Sequence, residues 1–197
     1  MAMATIISTS IAPYIRGLRQ SQNQNLKKKI KGEYMTRHDM IFDINYSFYV
    51  EKMTATLAGR IDRLISVLLM VLGCAAFSPF SGMFIFGVFI AALSAIQFIY
   101  QFGKLSGLSE EHAKKYLRLM TEESKYDDAE LLTKLTKLQE TDCNSWGLIV
   151  PAAFKRTCYK LGLDDDSAEL GPMEKVFAWF AGDLPKRPKV IINDDQH

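Results

Sequence analysis

The spacing of apolar and polar positions changes character twice along the chain. From Tyr46, the residues Tyr49, Met53, Leu57 and Ile61 recur at i, i+4, which predicts a helix with one apolar face that continues into the apolar stretch beyond it. That face gives way to a stretch with no charged side at all: Leu64 to Gly103 is 40 residues without a single Asp, Glu, Lys or Arg. One bilayer crossing takes about 20 apolar residues, so the stretch is long enough for two. Its strong break is SPFSG, Ser78 to Gly82, where Pro79 and Gly82 supply turn chemistry. The pattern predicts one helix from about Ile61 to Phe77 and a second from about Gly82 to Phe102, because strands would leave backbone amides unpaired in hydrocarbon. A buried helical hairpin of a soluble protein is the alternative that the pattern leaves open.

Beyond Lys104 the helical period returns with polar faces. Ser109 is the expected N-cap of a helix that runs through Glu110, Glu111, Tyr116, Leu117 and Met120. Leu131, Leu132, Leu135 and Leu138 share a face of a helix expected over Asp128 to Glu140. Pro151 suits the first turn of a helix ending at Leu161 before Gly162, and Glu174 to Ala181 forms a last short one with Val176, Phe177, Trp179 and Phe180. The expected fold is an all-α membrane protein: a two-helix transmembrane hairpin with an amphipathic lead-in helix and a small helical cytoplasmic bundle. Its divisions are a basic N-terminal arm over 1–43, the lead-in helix over 44–63, the hairpin over 64–103, the helical domain over 104–183 and a flexible tail over 184–197.

Composition changes this picture little, since 48% apolar and 23% charged are ordinary values that conceal the uncharged run. The net charge of +2 is more telling when divided. Lys52, Arg60 and Arg63 precede the run, Lys104, Lys114, Lys115 and Arg118 follow it, and the turn has none, which places both termini in the cytoplasm. Residues 1–32 hold Arg16, Arg19, Lys27, Lys28, Lys29 and Lys31 and no acid. That arm reads as a targeting segment, as an amphipathic helix on an anionic membrane through Ile7, Ile11, Tyr14, Ile15 and Leu18, or as an unordered basic tail. Neither flank is basic enough to indicate nucleic acid as a partner.

In the second apolar helix Gly87, Ala91 and Ala95 recur every four residues, a smooth stripe that another helix can approach closely. Ser94, Gln97 and Gln101 lie beside it. The stripe and its polar border serve either as packing inside the hairpin, or as contacts between copies with Ser94, Gln97 and Gln101 facing a water-accessible pore. Catalytic chemistry is not expected. His38, His112 and His197 are scattered singly and read as surface residues, so neither a metal site nor a cofactor is indicated. Cys74, Cys143 and Cys158 show no CxxC spacing, and P-loop, GxGxxG and GxSxG motifs are missing. Ser66 and Ser94 have no base at membrane depth, and the run Asp164, Asp165, Asp166 lacks an EF-hand ligand pattern and reads as a solvated loop or helix start.

The order of lead-in helix, two-span hairpin and helical tail, with EHAKKYLRLMTE and KLQETDCNSWGLIVPAAFKRTCYKLGL in that tail, resembles the SLATT group of bacterial two-transmembrane proteins. More loosely it is similar to the two-span effectors of retrons and other anti-phage systems. The resemblance covers about Ile44 to Leu163 and rests on architecture rather than on a catalytic motif. It implies a non-enzymatic effector of the bacterial inner membrane that stays silent until a sensor or regulatory partner reports infection, then oligomerises and permeabilises the bilayer. It would put Gly87, Ala91 and Ala95 at subunit contacts. The residues alone equally allow a non-toxic membrane anchor, or a prophage exclusion factor whose cytoplasmic helices bind a partner protein. A eukaryotic organelle protein with a cleaved basic arm is a third reading.

Overall fold

Forty consecutive residues, Arg37–Ala76, form the first helix, α1, about 60 Å long at 1.5 Å per residue. A computed structural model describes residues 35–76, 83–143, 146–165 and 167–186 of the chain. The basic arm up to residue 34, the SPFSG turn and the tail beyond Lys186 therefore lie outside the described residues, as does Asp166. The expected lead-in helix and first apolar helix are a single element, continuous through Ile61 as the i, i+4 spacing predicts. It starts at Arg37, seven residues before the expected 44, because Thr36 caps it: the Thr36 hydroxyl accepts from the Asp39 N–H at 3.3 Å, and the Asp39 carboxylate accepts in return from the Thr36 N–H at 3.2 Å.

The return path is α2, Met83–Tyr100, and α3, Phe102–Glu122, separated by Gln101. Both run antiparallel to α1, and a ladder of contacts fixes the register. Near the top, the Gln97 amide donates to Ser66 Oγ at 3.2 Å and Asp62 Oδ1 at 3.3 Å. Lower down, Ser106 donates to the Ala55 carbonyl at 2.9 Å, and a Cβ on Gly59 would lie 2.8 Å from the same hydroxyl. Gly59 is thus a point of close approach between α1 and α3. At the bottom, Arg37 donates to the Glu123 carbonyl at 2.7 Å and the Tyr126 carbonyl at 3.2 Å, tying the start of α1 to the end of α3.

Three shorter helices complete the lower end: α4, Asp128–Gln139; α5, Val150–Leu161; and α6, Pro172–Phe180. Their boundaries follow local chemistry. Asp127 caps α4 by accepting from the Glu130 N–H at 2.7 Å, α5 ends at Gly162 with φ 66°, and the Gly171 N–H donates to Glu174 Oε2 at 2.7 Å as α6 begins. Two apolar clusters hold these helices on α1. Met40 and Ile44 pack with Tyr116, Leu119, Leu131 and Leu135. Tyr49, Val50, Met53 and Leu57 pack with Ile149, Ala152, Ala153 and Ala178. All regular elements among the described residues are helical, apart from one short 3-10 turn that continues α3.

Two expectations change. Ser109 is not an N-cap: α3 already starts at Phe102, which leaves Ser109 in mid-helix with its side chain buried. The acidic run is not simply solvated either, because Asp165 is drawn inside by Lys155, whose Nζ lies 2.7 Å from its carboxylate with both side chains buried. Ser167 adds two more acceptors to that lysine, at 2.9 and 3.2 Å.

Candidate functional site

The upper part of the molecule inverts the usual arrangement of apolar groups. Leu64, Val67, Leu68, Met70 and Val71 of α1 and Phe84, Ile85, Val88, Phe89, Phe98 and Ile99 of α2 are all exposed. Phe84 and Phe98 expose 85% and 80% of their surface, and apolar side chains grouped this way mark a protein or membrane contact. The helical stretch Phe84–Lys125 contains an 18-residue window of mean hydropathy 1.8 with no residue buried, so this helix is long and apolar enough to cross a membrane.

Within that half, the half-buried positions on α2 are Phe86, Ile90, Leu93 and Gln97, which recur at helical spacing along one face. Gln97, at the lower end of that face, bonds to α1. The small stripe is elsewhere: Gly87, Ala91 and Ala95 are exposed, and a Cβ added at Gly87 would meet nothing within 4 Å. Ser94 is exposed as well. Gln101 is exposed and has φ 45°, the sole positive φ at a non-glycine position among the described residues. A side chain in that region carries a steric cost, and the helix restarts there: Leu105 N–H still bonds the Gln101 carbonyl at 3.0 Å. Tyr100 and Phe102, on either side, stack at 5.4 Å, and Phe102 meets Trp146 edge-on at 6.0 Å. The break thus coincides with the passage from the exposed apolar helix to the packed bundle.

Just below it, Lys52, Arg60, Arg63, Ser106 and Glu110 line an open groove. Arg60 also reaches across to α6, donating to the Phe180 carbonyl at 2.8 Å and lying over its ring. Trp146 is partly buried against the bundle core, whereas Trp179 joins Met173 and Val176 on an exposed apolar face of α6.

Deeper still, α1 and α3 bring polar groups together inside the bundle. Glu51 on α1 is 2% exposed and His112 on α3 is 7% exposed, so His112 is a core residue rather than the surface residue the sequence suggested. Asp142, after α4, completes a group whose ligand atoms all lie within 4.8 Å of one another. The Tyr116 hydroxyl donates to Asp142 Oδ1 at 2.6 Å, and the Cys143 N–H donates to Glu51 Oε1 at 2.9 Å. His112 Nδ1 stands 3.8 Å from Asp142 Oδ1, too far for a hydrogen bond. Burial pushes the Glu51 carboxyl above the usual range, a shift that the neighbouring Ser109 hydroxyl and the Cys143 N–H oppose. Burial raises Asp142 as well, against the Tyr116 hydroxyl.

This group escapes a motif search because its members are 30 to 91 positions apart in the chain. The signal was nonetheless present as periodicity. Ser47, Glu51 and Thr54 interrupt the face of α1 that also carries Ile44 and Ala58, and Ser109, His112 and Tyr116 recur at i, i+3, i+7 on α3. Two polar lines at helical spacing, each flanked by apolar residues, are what two packed helices with a shared polar core require.

Compared with protein-family models, with curated proteins and with solved structures, the chain matches none.

Proposed function

We propose that the chain is a membrane effector whose apolar stretches of α1 and α2 cross the bilayer as a hairpin, with the helical bundle and both termini on the cytoplasmic side. Copies associate through Gly87, Ala91 and Ala95, and the assembly permeabilises the bacterial inner membrane, with Ser94 and Gln101 nearest the water path. The observation that carries this reading is the exposure of the small stripe: the half-buried face of α2 runs through Phe86, Ile90, Leu93 and Gln97, which leaves Gly87, Ala91 and Ala95 free for a second copy. Gln97 is the exception among the polar border residues, since its amide is engaged with Asp62 and Ser66. The cationic groove of Lys52, Arg60 and Arg63 at the base of the apolar half suits the phosphate level of a cytoplasmic leaflet.

The anchor reading draws on a different observation, the exposed face of Met173, Val176 and Trp179, which offers a partner protein an apolar surface on α6. Membrane potential and dye entry in bacteria expressing the chain at graded levels separate the two. The effector reading predicts depolarisation that disappears when Ala91→Leu and Ala95→Leu fill the stripe without reducing membrane occupancy. Depolarisation that survives both substitutions removes the stripe from the account, and an intact potential at high occupancy favours the anchor.

A further inference from the structure

We infer that Glu51, His112 and Asp142 form a binding site for a divalent transition-metal ion of the zinc class. Three ligand atoms from three separate segments converge within 4.8 Å, and the two on the helices are inside the protein. Glu51 Oε2 and His112 Nδ1 are fully buried and have no hydrogen-bond partner, as is true of Ser109 Oγ beside Glu51. Buried polar atoms are almost always paired, so unpaired ones on two residues whose ligand atoms converge mark a place for a missing partner. Two neighbouring carboxyls beside one imidazole form a donor set whose ionised form a cation would stabilise.

The donor set selects the ion. Ca2+ and Mg2+ favour oxygen ligands throughout, whereas one imidazole nitrogen with two carboxylate oxygens suits zinc and its neighbours. The outer shell is also in place. Tyr116 orients Asp142 through its 2.6 Å hydrogen bond, and the Cys143 N–H fixes the other oxygen of Glu51. Asp142 retains partial exposure, 29% of its side chain, and so provides the entry path from solvent. A bound ion would join α1, α3 and the segment after α4 at one point, and α1 is the helix that continues into the apolar half. Metal occupancy would therefore set how firmly that helix is held by the bundle.

The test is a calorimetric zinc titration of the full-length chain in detergent, stripped with chelator and free of any polyhistidine tag, with thermal unfolding followed in parallel. The expected result is one zinc per chain at micromolar concentration, together with a higher unfolding temperature. Glu51→Gln and His112→Asn should each weaken binding more than tenfold and abolish the thermal gain, while Tyr116→Phe weakens it about tenfold through the outer shell. His38→Asn, at an exposed histidine, should change nothing. Absence of binding by the folded wild-type chain would overturn the inference and leave a cluster that shares a proton instead. Binding that persists in both Glu51→Gln and His112→Asn would overturn it too, as adventitious metal elsewhere.

Discussion

The two halves of α1 are one uninterrupted helix with opposite burial of their apolar side chains. From Met40 to Leu57 its apolar side chains are inside, and even Glu51 and Thr54 are buried among them. From Leu64 to Val71 the same helix exposes Leu64, Val67, Leu68, Met70 and Val71, and it carries no charge to attract water. Backbone geometry does not distinguish these halves. What differs is burial: the lower half packs its apolar side chains against α3, α4, α5 and α6, whereas the upper half leaves apolar surface that no other described residue covers. Polar groups follow the same division. In the lower half they are paired across long sequence separations, as in Arg37 with Asp128, while in the upper half the prominent polar link between helices is Gln97 to Asp62 and Ser66.

The comparison is broken most severely by equal truncations on the two sides. Leu57 is 1% exposed, so Leu57→Ala should cost the bundle about 3 kcal/mol through lost burial and the cavity left behind. Leu68→Ala removes the same atoms from a side chain that is 49% exposed, and thermal unfolding of the bundle in detergent should change by less than about 0.5 kcal/mol. Its effect should appear instead as weaker retention in the membrane fraction. Comparable losses of bundle stability from the two substitutions would show that the halves share one core after all.

A smaller effect sharpens the contrast through pH. Burial, assisted by the neighbouring charge of Asp39, pushes the Asp43 carboxyl up to about 6 from 3.8. A carboxyl raised in the folded state holds its proton there more tightly than in the unfolded chain. Its contribution therefore favours folding below about pH 4 and is lost as pH rises through 6. Asp43→Asn removes that penalty and should stabilise the bundle at pH 7 by about 1–2 kcal/mol, once partial exposure is discounted, with little effect at pH 4. Denaturant unfolding at both pH values checks this. The uncharged run from Leu64 to Gly103 has no Asp, Glu, Lys, Arg or His to contribute to such a slope.

Much of this division was legible in the sequence, because hydrophobic period and charge are themselves what differs between the two halves. The uncharged run, the helix from Asp128 and the stop at Gly162 are all local signals, each carried by a few neighbouring residues. Helix continuity through Ile61 was legible too, because Tyr49, Met53, Leu57 and Ile61 carry the i, i+4 spacing straight into the first apolar helix. The start of α3 was misplaced. Ser109 followed by Glu110 and Glu111 has the composition of a cap, yet the backbone resets at Gln101, where neither a glycine nor a proline announces it. The buried trio was hidden by sequence separation: nothing local to His112 reveals that Glu51 and Asp142 arrive beside it. The stripe of Gly87, Ala91 and Ala95 was visible as a pattern, but its direction depended on which face of α2 takes up the contact with α1.

Membrane insertion requires that the apolar halves of α1 and α2 cross a bilayer and return. The most direct measurement is labelling of single cysteines by a membrane-impermeant maleimide in intact bacteria, in a chain whose Cys74, Cys143 and Cys158 have been replaced by serine. Cysteines at His38 and Lys104 should be protected until the cells are opened, and a cysteine at Ser78 should be labelled from outside. Labelling of His38 and Lys104 positions on opposite sides, or protection of all three in a chain that remains soluble, would contradict it.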